Sequence, residues 1–295
     1  LYWNHHGDRN TAIGAEAGYS YNPPDDSTGD NTLIGYRAGY DSYQGGGHNT
    51  HIGSNAAKTG SSAEKNTSVG SHAFYSNQLG DNNIAIGYRT IYADGEGWNT
   101  VVGTQAGEDI TNAQYNPSVG GYAGHGLTTG HSNTVVGTFA LDADSGTGDS
   151  NTALGYAALS DNTSGTNNVA VGRGALPNNT IGDHNVAIGR DALLTNVDGD
   201  ASIAIGSYAL YTQEPASNVA MHNIAIGYEA GKLITTGSTD TLVGSYAGDA
   251  ITTGSHNTAL GYAALSDNQT GGSNVAIGSY AANNTTVGST TAVGV

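Results

Sequence analysis

The sequence lacks cysteine altogether and has few large apolar residues, with two Phe, one Met and two Trp among 295 residues. Without cysteine the chain forms neither disulfides nor thiolate metal sites, and the redox compartment stays undetermined. The scarcity of large side chains argues against a thick globular core. Ala, Ile, Val and Leu carry the apolar content instead, and they suit a thin, regularly stacked interior.

Positive charge is also scarce, because 8 Lys and Arg stand against 25 Asp and Glu and leave a net charge of −17 with histidine neutral. Such a chain repels phosphate backbones and has no basic cluster to release counterions, so we exclude nucleic acid as a partner. No apolar run approaches the roughly 18 residues of a membrane span, and no signal segment opens the chain. We therefore expect no direct membrane insertion by this segment, which reads as a mature product or as part of a longer protein.

Glycine, in contrast, is abundant, and 46 copies are about twice its usual share of roughly 7%. A motif, Asn-Thr-Ala-Ile-Gly-x-x-Ala, recurs sixteen times with its glycines 16 to 21 residues apart and most often 17. A unit this short cannot bury its own apolar face, and no window shows helical periodicity, so we predict an all-β, parallel β-solenoid of about 16 coils with a 17-residue period. The repeat glycines are Gly14, Gly35, Gly53, Gly70, Gly87, Gly103, Gly120, Gly137, Gly155, Gly172, Gly189, Gly206, Gly227, Gly244, Gly261 and Gly278.

Each column of the repeat indicates a structural role. The residue before the glycine is always Ile, Val or Leu, and we expect this column to be buried. Two residues earlier the column is β-branched in every copy but Pro117, which is the alternation of a strand. Three residues after the glycine, all copies but Thr90 carry Ala, so space there should be limited. The glycine itself is needed either because no Cβ fits or because φ is positive, and the sequence does not separate the two.

A polar column precedes the strand, since fourteen copies carry Asn four residues before the glycine and the other two carry Ser202 and Asp240. Two interpretations stay open, an amide ladder along the stacked coils and a simple turn preference. We divide the chain into a lead-in or cap at 1–9, a β-roll repeat domain at 10–282, and degenerate terminal coils at 283–295 that continue to a missing segment or cap.

The unit Asn-Thr-Ala-Ile-Gly-x-x-Ala resembles the head repeat of trimeric autotransporter adhesins (YadA-like heads), and it looks equally like repeats of bacteriophage tail fibres. The resemblance covers Asn10 to about Ala281. It implies a left-handed parallel β-roll, three chains packed side by side, and binding of the trimer to host or matrix surfaces. The head repeat of that family is commonly shorter than 17 residues, so the turn region is enlarged in this chain.

Tyrosine is the dominant aromatic residue, with 18 copies, and it concentrates just after the glycines and in two enlarged turns, 19–30 and 211–222. Both turns fall at the same phase of the coil, and either they present Tyr to a sugar or protein or they simply cover the roll. The stripe beside the glycines suits an intersubunit contact as well as a ligand. The candidate ligand-contact residues are Tyr19, Tyr21, Tyr211, Tyr36, Tyr88, Tyr156, Tyr228 and Tyr262.

Other patterns that carry chemistry are weak. Four histidines share the position five before the glycine on non-adjacent coils, so they would meet only around a threefold axis; they are His48, His184, His222 and His256. The acidic turns 142–149 and 196–200 alternate oxygen ligands as calcium loops do, but no closing Glu follows. No triad order, zinc motif or phosphate loop occurs. We expect no catalytic residue, no metal and no cofactor, and hence no enzyme.

These features together favour an extracellular adhesive or receptor-binding fibre segment, on a cell surface or a virion. In this hypothesis a rigid repeat rod, homotrimeric or otherwise self-assembled, contacts a host surface glycan or protein. One alternative is a purely structural shaft or filament subunit without a ligand. A more remote one is a glycan depolymerase spike, which requires a pair of carboxylates at a hydrolytic separation.

Overall fold

The structure is a computed structural model that describes residues 8–20, 29–42, 46–60, 62–77, 80–93, 96–215, 217–286 and 288–295. Within these ranges all regular secondary structure is β, in short strands joined by turns, and no helix occurs. The chain forms two compact units, Leu1–Thr147 and Gly148–Val295.

Unit 1 contains a parallel sheet built from one three-residue strand per coil, and a smaller parallel sheet of two-residue strands, β3, β5 and β7. Its strands are β1 (Thr11–Ile13), β2 (Thr32–Ile34), β3 (Asp41–Ser42), β4 (Thr50–Ile52), β5 (Thr59–Gly60), β6 (Thr67–Val69), β7 (Ser76–Asn77), β8 (Ile84–Ile86), β9 (Thr100–Val102), β10 (Pro117–Val119) and β11 (Thr134–Val136).

Unit 2 repeats the larger sheet with nine strands, each paired in parallel with the equivalent strand of the next coil. Its strands are β12 (Thr152–Leu154), β13 (Val169–Val171), β14 (Val186–Ile188), β15 (Ile203–Ile205), β16 (Ile224–Ile226), β17 (Thr241–Val243), β18 (Thr258–Leu260), β19 (Val275–Ile277) and β20 (Thr291–Val293). The predicted all-β parallel solenoid with a 17-residue period is therefore confirmed.

Strand register is independent of the length of the intervening turn. Thr11 pairs with Thr32 across 21 residues, and Ile84 pairs with Thr100 across 16. At the end of the chain Gly294, not Gly288, continues the strand glycines, because β20 pairs in register with β19 while Gly288 lies against the turn residue Gly272.

The expectation that the aliphatic column before the glycine is buried is wrong. Leu154 and Leu260 in this column are 45% and 47% exposed, whereas the central strand residues Ala153 and Ala259 are fully buried. The predicted alternation is correct, but the residues that we expected inside face outward and the residue between them faces inward. A shift of one residue has this effect, because successive side chains point to opposite faces of a strand. The interior is lined by the middle residue of the three-residue strands, which is only half-buried in the terminal strands β1 and β20, and both flanking residues face outward.

The alanine three residues after the glycine is buried in every coil, and Thr90 is buried in its place. Beside it most coils add one large apolar side chain at one of two positions. Leu176 lies four residues after its glycine, whereas the coil with Gly231 at that position carries Ile234 three residues later. A Cβ on Gly231 would lie 3.1 Å from the Ile234 side chain and 2.9 Å from Leu210 and Leu242, so a single coil has no room for both large residues.

The asparagine column forms a buried ladder, which decides between the two interpretations left open by the sequence. Asn168 is fully buried, and its Oδ1 accepts from the backbone N–H of Asn185 at 2.9 Å while its Nδ2 donates to the turn carbonyl of Gly182 at 2.7 Å. Where Ser202 interrupts the column, Gln213 donates to its Oγ at 3.0 Å. Side-chain amides therefore satisfy the backbone groups that the short strands leave unpaired.

The repeat glycine is required for both of the reasons considered above. Gly120 has a φ of +139°, and a Cβ on it would lie 2.7 and 2.8 Å from the carbonyl carbon and oxygen of Gly137 in the next coil. The other fifteen repeat glycines have φ between +125° and +148°. Only a residue without a side chain adopts this backbone at this separation between coils.

Candidate interaction surface

The outward strand residues of unit 2 form an apolar face on four adjacent strands. In β13 to β16 both outward positions of every strand carry Val or Ile, and none of these eight side chains is buried. They are Val169, Val171, Val186, Ile188, Ile203, Ile205, Ile224 and Ile226. We call this set the apolar face. Ile188 and Ile226 are exposed and the other six are half-buried. Because a contiguous aliphatic surface in contact with water is costly, such surfaces usually mark interaction sites.

A ladder of five tyrosines lies beside the strands of unit 2, one on each of five successive coils. The rings of Tyr208, Tyr228, Tyr246, Tyr262 and Tyr280 contact one another edge to face, with successive centroids 6.1, 5.4, 5.8 and 5.3 Å apart. The second, fourth and fifth of these side chains are 41% to 52% exposed. Two predicted ligand contacts, Tyr228 and Tyr262, thus belong to one continuous aromatic row.

Charged groups surround the first part of this tyrosine ladder. The carboxylate of Glu229 accepts from Lys232 Nζ at 2.9 Å, and a hydrogen bond to Glu229 raises the pKa of Tyr228 to about 12. The same hydrogen bond lowers the pKa of Glu229. Burial, with like charge from Glu229, raises the pKa of Asp249 to about 6. The hydrogen bond between Tyr228 and Glu229 and the ion pair between Glu229 and Lys232 fix the edge of the Tyr228 ring, and the raised pKa keeps this phenol neutral at physiological pH.

In unit 1 a second aromatic column occupies the position five residues after the glycine. Tyr19 stacks on Tyr40 with centroids 5.1 Å apart, and Tyr75 stacks on Tyr92 at 4.8 Å. Lys58 lies between the two pairs and donates to the Tyr75 hydroxyl at 2.8 Å. Since the stacked faces cover one another, this column offers phenol edges and an ammonium group to a polar ligand. A column-by-column comparison of the sequence would have found it.

The remaining tyrosine candidates are distributed among these features. Tyr36, Tyr88 and Tyr156 are 46%, 48% and 52% exposed at the position after the glycine, and Tyr211 packs against Tyr208 with centroids 5.6 Å apart. Tyr21 lies outside the described residues. The structure therefore does not gather the predicted contacts into one pocket but spreads them along the coils.

The weaker candidates occupy surface positions. His48, His184, His222 and His256 are exposed and have positive φ. In the second acidic turn Asp200 Oδ1 accepts from the backbone of Asp183 in the preceding coil at 2.7 Å, so it belongs to the turn hydrogen bonding. Within the described ranges no three His, Asp or Glu side chains are placed to share a metal ion.

The described part of the chain also holds no helix that is long and apolar enough to cross a membrane. Comparison with protein-family models finds no match to this chain, and comparison with curated proteins finds no relative.

Proposed function

We propose that this chain is a segment of an extracellular adhesive or receptor-binding fibre, which assembles through the apolar face, as a homotrimer, and presents its tyrosine rows to a surface glycan or protein. The observation that carries the proposal is the apolar face itself. In a chain with a net charge of −17, four adjacent strands expose only Val and Ile. Association removes this surface from water, at about 25 cal/mol per Å² of apolar area.

The tyrosine rows support the adhesive part of the proposal. Tyrosine combines a large apolar ring with a hydrogen-bonding tip and loses little conformational entropy on binding, which favours it at recognition surfaces. In unit 2 the rings repeat once per coil, so a polymeric ligand with a regular repeat would find equivalent contacts along the chain. No catalytic step is part of the proposal.

The test of assembly is the mass of the purified chain by sedimentation equilibrium, with two lysines placed in the apolar face. We expect three chains for the wild type and a monomer with unchanged β-sheet circular dichroism for the double variant Ile188→Lys, Ile205→Lys. The double variant Thr253→Lys, Thr270→Lys is the matched control, because it adds the same charge at exposed turns outside the face, and it should stay trimeric. A wild-type chain that remains monomeric at tens of micromolar would contradict assembly through the apolar face. A dimer would contradict only the proposed trimeric state.

Glycan-array binding separates the adhesin from the structural shaft. Binding that is lost in Tyr228→Ala and retained in Thr253→Lys supports the adhesin, whereas an assembled wild type that binds no glycan or host protein favours the shaft. Release of reducing ends from a bound polysaccharide would instead establish a depolymerase.

A further inference from the structure

Asp240 is the one carboxylate in the buried asparagine column of the described residues. It is fully buried, its N–H donates to Asn223 Oδ1 at 2.9 Å, and its own Oδ1 accepts from the N–H of Asn257 at 2.7 Å. Its Oδ1 therefore takes the role of the amide oxygen at an ordinary rung, where Asn168 Oδ1 accepts from the N–H of Asn185 at 2.9 Å. Its Oδ2, however, is buried and has no hydrogen-bond partner.

The position of that second oxygen is set by the repeat. At an ordinary rung a Cβ on Gly182 would lie 3.2 Å from the Nδ2 of Asn185, and at this rung a Cβ on Gly237 would lie 3.4 Å from the Oδ2 of Asp240. Oδ2 thus occupies the site of the donating nitrogen. Nine ladder asparagines donate this nitrogen to the turn carbonyl fourteen residues later, as Asn185 does to Gly199 at 2.7 Å, and for residue 240 that carbonyl belongs to Gly254.

An ionised carboxylate cannot make that bond, because carboxylate and carbonyl oxygens are both acceptors. A protonated carboxyl can, since its O–H is a donor of nearly the same shape as the amide N–H. We propose that Asp240 is protonated in the folded chain, that its Oδ2–H donates to the Gly254 carbonyl, and that this coil of unit 2 opens more readily once the proton is lost.

The surroundings of Asp240 offer no counter-charge to stabilise the ionised form. The adjacent ladder residues are the neutral Asn223 and Asn257, and the buried Ile234 and Ile251 occupy the inner position of their coils where others carry Asn. The nearest titratable residues on the neighbouring rungs, His222 and His256, have exposed side chains.

The electrostatics agree with this geometry. Burial raises the pKa of Asp240 to about 7, and the hydrogen bonds from Asn257 only partly oppose the effect. A carboxyl whose pKa is raised in the folded state favours folding least above that pKa. The free energy of opening this coil should therefore be highest below about pH 4, fall as pH rises toward about 7, and stay low above it.

The test is native-state hydrogen exchange of the full chain, followed by mass spectrometry of peptides covering residues 238–258 and corrected for intrinsic rates. Across pH 4 to 8 the wild-type protection factors should fall by on the order of a thousandfold, which is the pKa difference of about three units expressed as an equilibrium constant. Asp240→Asn restores the donor and should keep its protection constant. Asp161→Asn, which removes an exposed charge, should behave as the wild type.

A gain-of-function variant and a direct titration complete the test. Asn185→Asp converts an ordinary rung and should confer the same pH dependence on peptides covering residues 183–203. The ¹³C carboxyl resonance of Asp240 should titrate with a midpoint near 7. Equal protection of wild type and Asp240→Asn at pH 8, or a carboxyl midpoint near 4, would overturn the proposal.

Discussion

Replacing Gly120 by alanine tests how tightly the coils are stacked, and the adjacent Gly121 supplies the control. A Cβ on Gly120 would lie 2.7 Å from the carbonyl carbon of Gly137, whereas a Cβ on Gly121 would have no atom within 4 Å. Ordinary contact begins at 3.4 Å, so the next coil must retreat by about 0.7 Å. The hydrogen bond from Gly137 N to Val119 O, 2.9 Å long, would then stretch to about 3.6 Å and be largely lost.

The cost follows from three contributions. A non-glycine residue at a φ of +139° costs about 1–3 kcal/mol, and the weakened backbone hydrogen bond costs about 1 kcal/mol. Alanine also reduces the conformational entropy of the unfolded chain, which offsets the destabilisation by about 0.4–1 kcal/mol. We expect Gly120→Ala to destabilise its coil by about 1–4 kcal/mol, and Gly121→Ala to be neutral or slightly stabilising.

Local hydrogen exchange of peptides covering residues 115–140 measures the effect without assuming that both units unfold together. At 1.36 kcal/mol per tenfold change, Gly120→Ala should lower protection by about 5- to 1,000-fold. Gly294→Ala isolates backbone strain, because its φ is +128° and no atom lies within 4 Å of the added Cβ. Equal protection in Gly120→Ala and Gly121→Ala would refute the stacking explanation.

Two further predictions concern buried polar side chains. Burial lowers the pKa of His51 to about 4, so the free energy of unfolding of unit 1 should fall by at most about 3 kcal/mol as pH falls from about 6.5 to about 4. This pH dependence has the opposite sign to that of Asp240. Hydrogen exchange of peptides covering residues 46–60 should show the loss, and His51→Leu should abolish it. Asn168→Ala leaves the N–H of Asn185 and the carbonyl of Gly182 unpaired, so it should lower the free energy of local opening by about 2–4 kcal/mol. Asn167→Gly, at the exposed neighbouring position, should cost little. Similar losses in the two variants would contradict the ladder.

The fold was predictable because sixteen copies report the same geometry, so that period, strand position and glycine column reinforce one another. Which strand residues face the interior was not predictable, since a strand of three residues contains too little alternation to show which face is inside. A cue was nevertheless present. The column that shares a face with the aliphatic residues is Thr in nine of sixteen copies, as at Thr11 and Thr134, and Thr is typical of a solvated face.

The candidate surface was predictable only in part. Exposed tyrosines such as Tyr36 and Tyr156 follow from their place beside the glycine, but the apolar face depends on which strand residues face outward and could not be foreseen while its residues were assigned to the interior. The position of Asp240 in the asparagine column was visible in the sequence. Its unpaired Oδ2 was not, because that depends on which side-chain atom faces the turn.

The independence of strand register from turn length has a practical consequence. Ile203 and Ile224 pair directly although 21 residues separate them, and the extra residues lie between the buried Gln213 and Met221, with 217–220 exposed. Loop entropy grows only slowly with length, by about 0.6 kcal/mol per doubling. A guest peptide grafted at 217–220 would therefore be displayed at the surface of unit 2 while the host strands keep their pairing, which makes this corner a natural point for variation among related chains and for engineering.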